Sequence, residues 1–374
     1  MMLGTIREME RRSTKTIDER WTAFFPWKAL LYPGKIQGIL EGKFEAPVIL
    51  HVYPTNECNS DCLWCIMREE RARGGQLERD VFERLIDDAN EMGVRAIHVS
   101  GGGEPLLYNH LDLLDRFKGT RILSTNGTRV GSYGAKWLWS LFDRIRVSLD
   151  AGSPDVYFAV RREHRFEEVL RGIQELGYEK ARLREAGLSD KGFVLDRYRK
   201  TRKSLGLGFV LDAENWKSIF DFCLLPERYH LNVDFLHVRP AYYPRSSPGD
   251  VNTRRTLDPA FLLCEAARAA TRVPIFSISE KFRGYWTDRS FEKCLATPLH
   301  AVVTATGEFI VCQDVFIRFG NLNQLTFPEI WGSDEHKSAI ARIQVDGCPR
   351  CVMTTANEMI ENVFLKDRII PELI

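Results

Sequence analysis

The stretch Val48-Ile49-Leu50-His51-Val52-Tyr53-Pro54-Thr55-Asn56-Glu57-Cys58-Asn59-Ser60-Asp61-Cys62-Leu63-Trp64-Cys65 decides how the rest of the chain is read. Its apolar start, bounded by Pro47 and Pro54, has the character of a short buried strand. Three cysteines spaced C-x3-C-x2-C follow at the strand's C-terminal end. Thiolates on so compact a loop can fix three irons of a cubane cluster and leave the fourth iron open. A structural zinc site normally takes four ligands, and no fourth Cys or suitably spaced His lies nearby, since His51 and His98 belong to strands. The chain has nine cysteines, at 58, 62, 65, 223, 264, 294, 312, 348 and 351. In a reducing compartment disulfides are disfavoured, so clustered thiols point to metal ligation or catalysis.

That compartment is expected to be the cytoplasm, because the first 25 residues mix charges of both signs and lack the apolar core of a signal peptide. The 374 residues suffice for one large α/β domain or one with an appendage. Lys plus Arg number 52 against 51 Asp plus Glu, a net charge of +1 that gives no global pull toward nucleic acid or acidic membrane. No apolar run approaches the roughly 20 residues that span a bilayer, so no membrane partner is expected.

Further strand-like runs stand near 95–100, 120–125, 144–149, 207–212 and 233–238. Helical stretches are expected at about 77–92, 107–117, 134–142, 165–176, 214–224 and 258–271. Such alternation predicts parallel strands with helices outside, an α/β partial (β/α)6 barrel of TIM type. In barrels of this kind function concentrates at the C-terminal ends of the strands. The second strand ends in Val99-Ser100-Gly101-Gly102-Gly103-Glu104-Pro105, the third in Ser124-Thr125-Asn126-Gly127 and the fourth in Ser148-Leu149-Asp150. The sixth leads into His237-Val238-Arg239-Pro240-Ala241-Tyr242, which makes His237, Arg239 and Tyr242 candidate substrate contacts.

The cysteine loop and the glycine–glutamate segment together resemble the radical SAM superfamily. The resemblance implies a [4Fe-4S] cluster on Cys58, Cys62 and Cys65 whose open iron chelates S-adenosylmethionine (SAM). It implies Trp64 against the adenine, and Gly102, Gly103, Glu104 and Pro105 around the methionine ammonium. Asn126, Ser148 and Asp150 would line the SAM and substrate cavity. Glycines suit the ammonium site because a ligand can approach bare backbone closely.

The stretch from Tyr178 to Ser204 breaks the strand–helix rhythm with nine basic residues: Lys180, Arg182, Arg184, Lys191, Arg197, Arg199, Lys200, Arg202 and Lys203. It reads as a solvated face first and as a phosphate grip second. Downstream, Cys294-x12-Gly307-x4-Cys312 precedes Cys348-Pro349-Arg350-Cys351, and residues 301–312 read as a hairpin turning at Thr306-Gly307. Taken alone, four such cysteines suit zinc or iron–sulfur equally. After a radical SAM barrel they resemble the Twitch domain, a shortened SPASM domain, which implies one auxiliary [4Fe-4S] cluster on Cys294, Cys312, Cys348 and Cys351 with a role in electron transfer. Cys223 and Cys264 fall in register with apolar helix positions and read as core.

The expected division is an N-terminal extension over 1–46, a barrel over 47–285 with the basic insertion, and an auxiliary-cluster domain with a C-terminal helix over 286–374. The resemblance implies a 5′-deoxyadenosyl radical that abstracts a substrate hydrogen, with a carbinol of a small sugar, cyclitol or aminocyclitol as the expected target. A flavodoxin- or ferredoxin-type donor would supply electrons. Three alternatives stand beside this reading: a carbohydrate epimerase, a peptide maturase, and an enzyme that modifies nucleosides or nucleic-acid bases. Epimerases of this type keep a donor thiol beyond the auxiliary cluster, where this chain has Met353, Thr354 and Thr355. The roughly 45 residues ahead of the barrel are short for the winged-helix domain of many peptide maturases.

Overall fold

The computed structural model describes residues 26–186, 203–241, 254–277, 291–348 and 353–366. Tyr242, Cys351 and the basic residues Lys191, Arg197, Arg199, Lys200 and Arg202 lie outside the described residues. Among those described, ten strands form one sheet in the order β10-β9-β8-β1-β2-β3-β4-β5-β6-β7. They are β1 (Ile49–Val52), β2 (Ala96–Val99), β3 (Thr120–Thr125), β4 (Arg144–Ser148), β5 (Ser204–Leu211), β6 (Phe235–Pro240), β7 (Ile275–Phe276), β8 (His300–Val303), β9 (Glu308–Cys312) and β10 (Val315–Asn321). From β8 through β1 to β7 the pairing is parallel, and β8, β9 and β10 are antiparallel neighbours. The expected partial barrel is present, and β7 and β10 leave it unclosed.

Two-residue alternation sorts each strand. Leu50, Val52, Ile97, Val99, Ile145 and Val147 enter the main core under the helices, while His51, His98 and Arg146 occupy the opposite, concave face. Helix α1 (Arg79–Glu91) covers that core with Val81, Phe82, Leu85 and Ile86. Each such side chain contributes about 1.5–3 kcal/mol of burial. Gly93, at φ +77°, turns the chain out of α1 into β2.

Two helix expectations change. Residues 107–117 form no α-helix but two 3-10 turns, Pro105–Leu107 and Leu111–Arg116. Leu111, Leu113 and Leu114 are all buried, and in the tighter turn Leu111 and Leu114 stand one above the other. The helix expected at 165–176 runs on as α4 (Phe166–Glu185), after α2 (Ala135–Leu141) and α3 (Pro154–Arg161). The basic stretch therefore begins inside a helix. Lys180 is fully buried with its Nζ 2.6 Å from Asp234, and Arg184 bonds the same carboxylate at 2.7 Å. Arg182 pairs with Glu179 and Lys203 with Asp143. Lys180, Arg184 and Lys203 thus join the ends of barrel elements, and among the described residues this part of the run departs from the expected solvated face, which Arg182 alone resembles.

The hairpin forms as expected, with Gly307 at φ +79° between β8 and β9. Its first strand pairs parallel with β1, Ile49 opposite His300, so the sheet continues across the boundary expected near 285. The helix Pro33–Leu40 places Ile36 against Ala296, Met359 and Ile360, and joins the segment before the barrel to the C-terminal part. Cys223, on α5 (Ile219–Arg228), and Cys264, on α6 (Arg254–Arg268), are fully buried in the main core, and burial pushes the Cys223 thiol up.

Candidate active site

The three-cysteine loop is clamped by the strand ends beside it. The Asn56 N–H and side-chain amide donate to Gly75 and Gly74 carbonyls at 3.0 and 2.7 Å. Gly103 N–H donates to the Thr55 carbonyl and Glu104 N–H to the Glu57 carbonyl, at 2.8 and 2.7 Å. A Cβ on Gly102 would lie 2.3 Å from Asn56 Oδ1, and one on Gly103 would lie 1.7 Å from the Glu57 carbonyl oxygen. The glycines expected to admit a ligand thus already admit the cysteine loop's own backbone.

Glu104, buried to 2 % exposure, accepts from Thr125 Oγ1 at 2.5 Å and from the N–H groups of Asn126 and Leu106 at 2.7 and 3.0 Å. Burial raises its pKa, and these donors pull the other way. Its carboxylate is therefore a strut between the ends of β2 and β3. Pro105 opens the turn behind it. Asn126 extends the strut: its amide donates to Asn59 Oδ1 and Ser60 Oγ at 2.8 and 3.0 Å, while its own Oδ1 accepts from Thr128. Asn59, Ser60 and Thr128 were not singled out by the sequence, although their amide and hydroxyl groups lie within the loop and turn already marked.

Cys58, Cys62 and Cys65 are partly accessible free thiols that act on one another electrostatically. Burial pushes Cys58 up to about 11 and also raises Cys62, with Arg71 and Arg161 respectively opposing the rise. Arg161 Nη1 is 3.0 Å from Cys62 Sγ, and Arg71 Nη1 stands 3.8 Å from Cys65 Sγ. A cavity of about 390 Å³ opens beside them, lined by Asn56, Cys58, Asp61, Arg68, Arg71 and Ala72. Among the described residues no three His, Cys, Asp or Glu side chains converge enough to hold a single ion. Thiolates bound to different irons need no such convergence. Three clustered thiols with two guanidiniums beside them fit an anionic iron–sulfur group that takes a further ligand from the cavity.

Trp64 is half-buried on this loop. The Ser148 carbonyl accepts from Arg161 Nη2 at 2.7 Å. Asp150 is wholly buried at φ +62°; its carboxylate pairs with Arg161 and accepts the Val210 N–H at 2.6 Å. Burial opposes the charge on Arg161, but Asp150 and the Cys62 sulfur outweigh it and hold the guanidinium above the usual arginine range. Asp150 is thus the anchor of the arginine that touches Cys62, a link between α3 and the cysteine loop that no sequence spacing announces. His237 and Arg239 lie on β6 on the face opposite the core residues Leu236 and Val238.

The second group is assembled by the C-terminal helix α7 (Thr354–Met359) and the π-helical turn Ile360–Leu365 that follows. Asn357 Oδ1 accepts the N–H groups of Leu295 and Ala296 at 2.6 and 2.8 Å, and its Nδ2 stands 3.6 Å from Cys294 Sγ. Glu361 accepts from Glu292 and Lys293 N–H and pairs with Lys366 at 2.6 Å. Cys312 closes β9 and lies within electrostatic reach of Cys294; burial, then Asp314, raises its pKa. Cys348 is half-buried after the turn Val345–Gly347. The signal missed in the sequence is a polar pair four residues apart, Asn357 and Glu361, flanking Met359 and Ile360.

Residues 52–180 match the radical SAM superfamily, and residues 294–352 match an iron–sulfur cluster-binding domain, SPASM. A GTP 3′,8-cyclase of Shewanella denitrificans is 26% identical over 139 residues, 34% of this chain and 41% of its own length. A probable GTP 3′,8-cyclase of Methanothermobacter thermautotrophicus is 28% identical over 189 residues, 48% of this chain and 61% of its own. The chain thus spans about half the length of the curated relatives it matches. In fold it is similar to Streptococcus suis SuiB bound to the precursor peptide SuiA, with a TM-score of 0.60 at 14% identity over 86% of this chain and 74% of that one. It is also similar to anSMEcpe with bound AdoMet and a Cp18Cys peptide, with a TM-score of 0.53 at 17% identity over 83% and 88% of the two chains. With both cysteine groups inside the matched segments, the chain belongs to the radical SAM superfamily and carries an iron–sulfur cluster-binding domain of the SPASM/Twitch kind in its C-terminal part.

Proposed function

We propose that the protein is a radical SAM oxidoreductase that abstracts a hydrogen from a substrate held on the concave face of the sheet. Cys58, Cys62 and Cys65 would hold the SAM-binding [4Fe-4S] cluster, and Cys294, Cys312, Cys348 and Cys351 the auxiliary one. With SAM bound, the first cluster supplies reductive cleavage to a 5′-deoxyadenosyl radical. The chain's own part is to orient and to exclude water. Asn126 and Glu104 lock the cysteine loop to β2 and β3, Arg161 steadies Cys62, and Asn357 and Glu361 hold the Cys294 loop.

The observation that carries the oxidative reading is the packing between the two cysteine groups. Tyr53, Met67, Val302 and Ile310 form one buried apolar cluster with Cys65 at its edge, and Tyr53 also feels the Cys312 thiol. An auxiliary site so placed suits removal of an electron from a substrate radical. The expected carbinol remains the target of choice, and the relatives named for GTP chemistry extend the candidates from free sugars to nucleotides, whose ribose carries secondary carbinols. A cytoplasmic setting and a flavodoxin- or ferredoxin-type donor complete the proposal. Among the described residues no helix is long and apolar enough to cross a membrane.

Anaerobically reconstituted protein should contain iron and sulfide for two cubanes per chain and form 5′-deoxyadenosine on reduction with SAM. One cubane plus stoichiometric zinc, or no 5′-deoxyadenosine, would falsify the assignment. Solvent deuterium appearing in a product isomeric with substrate would favour the epimerase instead.

Asn357→Asp keeps the acceptor for Leu295 and Ala296 but replaces the amide that faces Cys294 Sγ with a negative charge. The auxiliary site's reduction potential should move to more negative values in an EPR-monitored titration, because hydrogen bonds to sulfur favour the reduced cluster. An unmoved potential removes Asn357 from the auxiliary site.

A further inference from the structure

The concave face of the sheet is cationic. On β4, Ile145 and Val147 enter the helical core and leave Arg146 on the other side; on β6, Leu236 and Val238 do the same and leave His237 and Arg239. Between them β5 presents Gly206 and Gly208. The missing Cβ atoms make room for neighbours. A Cβ on Gly206 would fall 2.1 Å from the Phe235 ring, whereas one on Gly208 would meet only ordinary contacts, the nearest being Arg146 Cδ at 3.7 Å. The Arg146 arm therefore runs beside an open glycine floor.

Burial, and then the neighbouring charge of Arg239, push Arg146 down to about 10, and Asp150 offsets this only in part. Asp150 is already committed to Arg161 and the Val210 N–H. Arg146 itself makes no hydrogen bond or ion pair among the described residues. Farther along the same face the rings of His51 and His98 stand 5.0 Å apart, and burial holds His98 at about 3 and His300 at about 4, so these imidazoles add no competing charge. A guanidinium kept in such a place with Asp150 as no more than a partial counter-charge among the described residues costs the fold. A ligand that brings two negative charges would reverse that cost.

We propose that the substrate is a phosphorylated small molecule whose phosphate lies between Arg146 and Arg239, over Gly208. A phosphate monoester carries about two negative charges at neutral pH and presents oxygens to both guanidinium forks, whereas a carboxylate brings one charge. The proposal rests on the reading that the concave face holds the substrate, and it names the class of group recognised there.

The probes are inorganic phosphate and pyrophosphate, with citrate as the carboxylate control, added to reconstituted protein carrying SAM. Both phosphates should raise the thermal midpoint of the unsubstituted protein by mass action. They should bind about ten- to a hundredfold more weakly to Arg146→Met. Gly208→Val, which displaces the arm without altering charge, should weaken binding in the same direction. Without phosphate, Arg146→Met should melt above the parent protein, because a poorly compensated cation has gone; an arginine needed by the fold would do the reverse. The proposal fails if neither phosphate shifts the midpoint, if citrate shifts it as much, if Arg146→Met keeps full affinity, or if that variant melts lower. Formation of 5′-deoxyadenosine in the same preparations separates such a failure from failure of the radical SAM assignment.

Discussion

Alanine at Cys58, Cys62 and Cys65 together is expected to abolish 5′-deoxyadenosine formation to the assay background and to halve the iron content. These thiols leave the same loop within reach of one another, and nothing else among the described residues converges there to replace them. Replacing Cys294, Cys312, Cys348 and Cys351 should also remove half the iron, yet spare uncoupled SAM cleavage while stopping product. Iron and sulfide assays with chromatography of 5′-deoxyadenosine read both results. Equal loss of cleavage in the two variants would end the separation of roles.

Arg161→Met should destabilise the protein by about 3–5 kcal/mol, the usual result of stripping one partner from a buried ion pair. Asp150 has no solvent exposure and would keep only the Val210 N–H as hydrogen-bond partner, with Arg146 a weaker counter-charge nearby. The double variant Arg161→Met/Asp150→Asn should recover much of the loss, since neither a lone charge nor an ion pair remains. Urea midpoints of the reconstituted proteins decide the matter. A single variant within about 1 kcal/mol of the parent, well below the cost of an orphaned buried charge, would show that water reaches Asp150.

The strands and the cysteine loops were legible because each apolar run is short and fenced by Pro or Gly, as Val48–Tyr53 is between Pro47 and Pro54. The hairpin at Gly307 was legible for the same reason. Arg161 was not, since its partners Cys62 and Asp150 lie at unrelated spacings and meet only once β4 and α3 are folded. Nor was the pairing of β1 with β8, which joins residues roughly 250 positions apart in the chain. The basic run misled by composition: Lys180 counts as charge in a sequence but is wholly buried against Asp234. The glycines of 101–103 were legible as a place of close approach, and the group that approaches Gly102 and Gly103 in the fold is the backbone and Asn56 side chain of the cysteine loop.

The cluster of Tyr53, Met67, Val302 and Ile310 bears on the speed of electron movement. Val302 and Ile310 lie on neighbouring strands of the sheet, and Tyr53, just past β1, is tied to it by its N–H bonded to the Val303 carbonyl at 2.9 Å. Adjacent strands keep a spacing of about 4.8 Å, so a tunnelling path between the two proposed clusters would have a length set by hydrogen-bond register, with no waiting for two domains to meet. Its apolar filling also leaves few dipoles to reorient, so if charge crosses there as proposed, the reorganisation energy is low and transfer is favoured before a substrate radical can find another fate.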